Sequence, residues 1–127
     1  MDVYKTHGAF SWNELTTSDP AGAAVFYGAL FGWAVAPPQS GMGDYRVASL
    51  GESMVAGIMS PPPGSPPMPP HWGSYVTVDN CDATVAKAQQ LGGKLLVPAM
   101  DVPTVGRMAV LQDPQGAVIS VMQYSSS

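Results

Sequence analysis

An internal repeat constrains this chain more than any single motif does. Shifted by about sixty residues, the first half lies over the second: Asp19 falls on Asp79, Val25 on Val85, Gly32 on Gly92 and Pro38 on Pro98. One residue further on, Arg46-x-Ala48-x-Leu50 meets Arg107-x-Ala109-x-Leu111, and two further still Val55-x-x-Ile58-Met59 meets Val118-x-x-Val121-Met122. A drift of that size is what short loop insertions produce. A repeated unit implies two copies of one small supersecondary motif, and duplication tends to create a cleft that can serve as a site.

The 127 residues are one domain's length, and 46% of them are hydrophobic, so the chain can bury a core. Charged residues make up only 11%, which leaves large apolar or proline-rich surfaces that a homodimer could cover. A net charge of -4 with five scattered Lys and Arg excludes the basic patch that a nucleic-acid partner needs. The single cysteine, Cys81, allows no intrachain disulfide. No segment reads as a signal peptide or a membrane span, so a soluble, cytoplasmic protein is expected.

Each copy reads as β-α-β-β-β. Residues 9–17 are aromatic and β-branched enough for a strand. Ser18-Asp19-Pro20 then supplies a cap and a proline at the helix start. A helix over Ala21–Phe31 places Ala23, Phe26, Tyr27 and Leu30 on its apolar face, and Gly32 stops it. Trp33–Pro37, Tyr45–Leu50 and Met54–Met59 follow as strands, separated by turns at Gly41-Met42-Gly43-Asp44 and Gly51-Glu52. The proline-rich linker, residues 61–71, can form neither helix nor inner strand. It serves as a stiff spacer or a ligand for a proline-reading domain. Unit one is thus 7–60 and unit two 72–124. Unit two has a strand at Trp72–Val78, a helix at Ala83–Leu91, and strands at Lys94–Pro98, Arg107–Gln112 and Ala117–Gln123. Asp113-Pro114-Gln115-Gly116 turns between the last two, and Ser125–Ser127 is a tail.

Asp19 through Phe26-Tyr27 to Leu30-Phe31-Gly32-Trp33, Val78-Asp79 to Leu91-Gly92-Gly93, and Asp113-Pro114-Gln115-Gly116 occur in an order and spacing that resemble the vicinal oxygen chelate superfamily. Glyoxalase I, extradiol dioxygenases and bleomycin-resistance proteins belong to it. The resemblance spans residues 7–124. It implies an α+β glyoxalase-like fold in which two tandem βαβββ units form an open, curved-sheet cup. It also implies a divalent metal held by His, Gln or Glu from the first and last strand of each unit, chelating two neighbouring substrate oxygens.

Carried over one at a time, those four ligand positions fall on Trp12, Gly57, Gly73 and Ser120. Trp and Gly offer no ligand atom, and a neutral Ser is a poor one. Neither a metal nor any other cofactor is therefore expected, as in the bleomycin-resistance branch. Strand alternation puts Trp12, Glu14 and Thr16 on one face of the first strand. It puts Gly73, Tyr75 and Thr77 on one face of the fifth, and Val118, Ser120 and Met122 on one face of the eighth. The opposite faces, with Leu15, Val76, Val78, Ile119 and Val121, suit packing under the helices. The cup so lined has aromatic walls, a methionine, one carboxylate and hydroxyls, which suits a flat, partly apolar small-molecule ligand.

Trp12, Thr16, Tyr75, Thr77, Ser120 and Met122 are the candidate ligand-binding residues. Glu14 and His71 are the candidate catalytic ones. Each has a plainer role open to it: Trp12 as a core aromatic, Glu14 as a solvated or salt-bridged carboxylate, His71 as a hydrogen-bonded structural histidine. His7 is expected to face solvent. Cys81 lies near a helix start, which lowers a thiol pKa, but no catalytic partner for it is evident. Arg46 and Arg107 occupy matching places in the repeat, and either could meet an anionic group.

Four functions stay open. The first is a metal-free binder sequestering an antibiotic or toxic compound. The second is a metal-independent isomerase or cyclase using Glu14. A metal-dependent lyase or dioxygenase is disfavoured by Trp12, Gly57, Gly73 and Ser120. A purely structural module would leave the polar cup unexplained.

Overall fold

The computed structural model describes residues 1–38, 43–64 and 67–125. Part of the expected turn at Gly41-Met42, Ser65-Pro66 of the proline-rich linker, and Ser126-Ser127 of the tail lie outside the described residues. Among the described residues, eight strands and two helices run in the order β1 (Phe10–Thr16), α1 (Pro20–Phe31), β2 (Ala34–Val35), β3 (Arg46–Leu50), β4 (Ser53–Met59), β5 (His71–Thr77), α2 (Cys81–Gln90), β6 (Lys94–Val102), β7 (Gly106–Gln112) and β8 (Val118–Tyr124). Contacts group these into two compact units, Trp12–Gly73 and a second made of Met1–Ser11 with Ser74–Ser127.

Both units are built alike. In one the strands lie in the order β2-β3-β4-β1, and in the other β6-β7-β8-β5. The first strand of each runs parallel to the last, with Glu14 opposite Gly57 and Tyr75 opposite Ser120, and the other neighbours are antiparallel. The βαβββ repeat read from the sequence is therefore the repeat of the fold.

Local chemistry accounts for most boundaries. The Asp19 side chain accepts from the Gly22 N–H at 3.0 Å, and Pro20 opens α1 where its missing N–H costs nothing. Gly32 closes the helix in the left-handed conformation (φ +76°). Asn80 caps α2 on the Ala83 N–H at 3.0 Å. The turn before β8 is tied by Asp113 Oδ1, which accepts from the N–H groups of Gln115 and Ala117 at 2.9 Å each.

Two element readings change. The strand expected at Trp33–Pro37 is only Ala34–Val35. The strand expected to stop at Pro98 runs on to Val102. It is the outer strand of its unit, and its pairing with β7 shifts register between Leu95 and Val97 and again between Val97 and Met100. Proline is tolerated at such edge and bulge positions because no ladder needs its N–H.

The two helices pack differently. Under α2, the buried Val78, Cys81, Val85, Ala109, Leu111 and Val121 form a cluster flanked by Ala88, Leu95, Ala99 and Ile119. Helix α1 has no buried residue. Its half-buried positions are Pro20, Ala23, Ala24, Tyr27 and Gly28, whereas Phe26 is 59% and Leu30 57% exposed. The expected apolar face, with Phe26 and Leu30 turned inward, is thus overturned. The helix is apolar on every side, so periodicity could not choose the inner face, and the side turned inward combines small residues with Tyr27. No helix among the described residues is long and apolar enough to cross a membrane.

Candidate functional site

In the Trp12–Gly73 unit, β1 presents Trp12 and Glu14 on one face, as strand alternation requires. A third side chain joins them. Trp12 Nε1–H donates to Tyr45 Oη at 2.9 Å, and the Tyr45 hydroxyl donates to Glu14 Oε2 at 2.7 Å. The second of these is a short, charge-assisted bond. Tyr45 just precedes β3, two residues before Val47, which pairs with Gly57, and Gly57 pairs with Glu14. The ring can lie there because Gly57 has no side chain: a Cβ at that position would collide with the Tyr45 hydroxyl and ring. Trp12, Glu14 and Thr16 are all half-buried. Tyr45 was not among the residues singled out from the sequence. The available signal was a glycine in mid-strand, which often marks close approach of another group.

His71 is exposed, and its Nδ1 lies 2.9 Å from the Pro69 carbonyl oxygen. Asp44, at the mouth of β3, bonds through its carboxylate to the Ser60 hydroxyl and accepts from the Ser60 N–H at 3.3 Å. The Ser60 hydroxyl holds the Asp44 carboxyl below its ordinary value. Burial opposes this, while the backbone and Arg46 add to the lowering.

The same unit holds a second feature on the α1 side of its sheet. A cavity of about 440 Å³ is lined by Asn13, Tyr27, Phe31, Trp33, Val55, Ala56 and Trp72. Tyr27 stacks on Trp33 at 5.7 Å and meets Trp72 edge-on at 5.3 Å, and Trp72 Nε1–H donates to the Tyr27 hydroxyl at 3.2 Å. The Phe-Tyr and Leu-Phe-Gly-Trp signatures thus make an aromatic wall that alternation along β1 did not reveal.

In the other unit, Tyr75 pairs with Ser120 and Thr77 with Met122 across β5 and β8, so the four share a face. Ser120 is half-buried, while Tyr75, Thr77 and Met122 are buried. The N-terminal segment covers part of this face. The Thr77 hydroxyl donates to the Val3 carbonyl at 2.6 Å, and Tyr4 packs edge-on against Tyr124 at 5.2 Å. His7 is exposed, and its Nδ1 accepts from the Asp79 N–H at 3.0 Å.

Cys81 corrects the expectation of a lowered thiol pKa. Burial pushes it up, and Asp82 adds to the shift, while Arg107 opposes it. Arg107 donates to Asp82 at 3.1 Å and Asp101 at 3.0 Å, and both bonds raise its pKa. Its repeat mate Arg46 has a buried Nε with no hydrogen-bond partner among the described residues.

The residues present do not fit the family's metal. Of the four ligand positions, Gly57 is spanned by the Tyr45 ring, Trp12 donates its only polar hydrogen to that tyrosine, and Gly73 and Ser120 offer no imidazole or carboxylate. Among the described residues no three His, Cys, Asp or Glu side chains converge to hold an ion.

Comparison with known proteins bears on the fold and the family. The chain is 44% identical over 117 residues to CFP32 of Mycobacterium tuberculosis, provisionally named a glyoxylase, covering 91% of this chain and 44% of that protein. It is 35% identical over 127 residues to the anthracycline biosynthesis protein DnrV of Streptomyces peucetius, covering 90% and 46%. The chain thus spans less than half the length of these relatives. Among solved structures, methylmalonyl-CoA epimerase from Mycobacterium tuberculosis superposes with a TM-score of 0.65 at 16% identity, over 94% of this chain and 89% of that one. Homoprotocatechuate 2,3-dioxygenase from B. fuscum gives 0.63 at 16%, over 92% and 32%. Likeness at that identity speaks for the fold alone, which is glyoxalase-like. The model of the Glyoxalase/Bleomycin resistance protein/Dioxygenase superfamily matches residues 9–121, and this chain, with its two βαβββ units, belongs to that superfamily.

Proposed function

We propose that this chain binds a flat, partly apolar small molecule without a metal ion, on the face that carries Trp12, Glu14 and Tyr45, and that it works as a homodimer. The observation that supports this is the chain of hydrogen bonds from Trp12 through Tyr45 to Glu14. Where relatives of this fold class would hold an ion, these residues offer a ring face, a hydroxyl and a carboxylate. A planar ligand with one or two polar handles asks for that combination. Thr16 belongs to the same face of β1. In the other unit Tyr75, Thr77, Ser120 and Met122, which share a face, are the proposed ligand contacts of that unit.

The Streptomyces relative is named for anthracycline biosynthesis, and anthracyclines are planar polycyclic molecules. Daunorubicin is therefore a suitable first probe. Titration calorimetry in the presence of a chelator should show saturable binding that Trp12→Ala weakens at least tenfold. Binding that appears only after nickel, zinc, manganese or iron(II) is added would defeat the proposal.

A second reading is a metal-independent acid–base enzyme. It is favoured by the Tyr45 hydroxyl on Glu14, which gives a proton a route to and from the carboxylate. Here Glu14 is the general base and His71 its proposed partner. Glu14→Gln separates the two readings: a binder keeps most of its affinity, whereas an enzyme loses its turnover of the probe, followed by mass spectrometry.

A further inference from the structure

The face of β5 and β8 is partly shut by the chain's own early residues. Tyr75, Thr77 and Met122 are the side chains a ligand would meet there, yet they are only 9%, 3% and 7% exposed. Part of the cover is the segment Asp2–Gly8, which belongs to the same compact unit. It holds its own shape. The Asp2 carbonyl accepts from the Lys5 N–H at 3.0 Å and from the Thr6 hydroxyl at 2.8 Å, and Asp2 Oδ1 accepts from the Tyr4 N–H at 3.0 Å. A turn tied by its own side chains in this way can move as one piece.

Its hold on the face is slight. It is fastened by the Val3 carbonyl on the Thr77 hydroxyl at 2.6 Å, by the Tyr4 ring edge-on to Tyr124 at 5.2 Å, and by His7 Nδ1 on the Asp79 N–H at 3.0 Å. Every residue from Met1 to Gly8 is half-buried or exposed, and Tyr4 keeps 43% of its surface in water. A segment with so little buried apolar contact opens at a far lower free energy than the core. Gly8 is the pivot. Its φ is +90°, in the left-handed region, and beyond it the chain joins the sheet: the Gly8 N–H donates to the Thr77 carbonyl and the Thr77 N–H to the Ala9 carbonyl, both at 2.8 Å.

The fastening contacts also name what the segment stands in for. The Thr77 hydroxyl is met by a carbonyl oxygen, and Tyr124, two residues beyond Met122 on the same face of β8, is met by an aromatic ring. A planar aromatic molecule bearing a carbonyl offers the same acceptor and the same ring. We infer that Asp2–Gly8 is an autoinhibitory strap, whose Val3 carbonyl and Tyr4 ring hold the place of an aromatic carbonyl ligand on the face of Tyr75, Thr77, Ser120 and Met122. The inference rests on the ligand reading above and adds its regulation. The apparent affinity is then that of the open face reduced by the fraction of time the strap is lifted, so loosening the strap tightens binding.

The experiment is titration calorimetry with daunorubicin, a planar polycycle with ring carbonyls, on the wild type and on Tyr4→Ala, Tyr4→Phe and Gly8→Ala. None of these positions is a proposed ligand contact. Tyr4→Ala removes the ring from Tyr124. Gly8→Ala strains the pivot, and its added Cβ meets nothing within 4 Å. Each should lower the dissociation constant about fivefold or more, while Tyr4→Phe keeps the ring and should match the wild type. A second measurement needs no variant: the nuclear Overhauser contact between the Tyr4 and Tyr124 rings should be present in the free wild type and vanish on saturation with daunorubicin. Wild-type binding with that contact retained, or with Tyr4→Ala and Gly8→Ala no tighter than wild type, would overturn the strap and leave the ligand reading standing. Binding by the loosened variants alone would support the strap. No binding by any of the four proteins would defeat the ligand reading and the strap with it.

Discussion

A methyl group added at residue 57 would take the space of the Tyr45 hydroxyl, so Gly57→Ala must expel the ring and break both of its hydrogen bonds. The expected cost is about 1–3 kcal/mol, as for other overpacked positions, read as a lowered urea midpoint. Tyr45→Phe keeps the ring and removes only the hydroxyl, and should lose about 1–3 kcal/mol with no change in urea dependence. If Gly57→Ala and Tyr45→Phe together cost no more than the larger single change, the two act through one contact. Asp44 provides a pH test. Its folded carboxyl is held below the ordinary 3.8 by Ser60, so the stabilisation is present above that value and is lost as pH falls through the lowered one. The stability gap between wild type and Asp44→Asn should be constant at neutral pH and close in acid. Trp12 and Glu14 could be placed on one face from alternation alone. Tyr45 could not, because its position depends on which strand β3 pairs with and in what register.

The helices make the case at the level of elements. The ends of α1 were legible because capping is a matter of three or four neighbouring residues, and Asp19, Pro20 and Gly32 act where such residues should, whereas α2 starts two residues earlier than Ala83, at Cys81 behind the Asn80 cap. In α2 the structure buries Cys81 and Val85 and leaves Asp82 and Lys87 in the first and last turns. Which face turns inward was not legible for α1, which is apolar all round. Val85→Ala in α2 should cost about 1–3 kcal/mol, since it opens space in a closed cluster. Val25→Ala, at the repeat-equivalent position in α1, should stay within about 0.5 kcal/mol for the isolated chain, because 74% of Val25 is already exposed. Chemical denaturation of the pair, at concentrations below any association, checks this. Strand β6 had the opposite problem: Pro98 reads as a stop, and only the edge position and the bulges make it harmless.

For the molecule as a whole, the two halves carry the same strand order on different chemistry. Where superfamily enzymes would place metal ligands, this chain has indole, two glycines and a serine. Protein exposed to a chelator should keep its melting temperature, and adding nickel, zinc, manganese or iron(II) should raise it by no more than the scatter of repeats. A stabilising shift saturating at one ion per chain would mean that side chains other than those four converge on a metal. Arg107 is doubly paired with carboxylates, while its repeat mate Arg46 has a buried Nε with no hydrogen-bond partner among the described residues.

The sequence by itself determined the repeat, the α1 caps, the Asp113–Gly116 turn, the family and the absence of imidazole and carboxylate at residues 12, 57, 73 and 120. All of these depend on residue type, short-range spacing or order along the chain. Only the tertiary structure decided that Tyr45 crosses Gly57 to join Trp12 to Glu14, that Val3 takes the Thr77 hydroxyl, and that α1 turns Phe26 and Leu30 outward. Each of these joins residues far apart in the chain or turns a side chain by contacts with other elements. Their free energy depends on strand pairing and packing space, which no local pattern encodes.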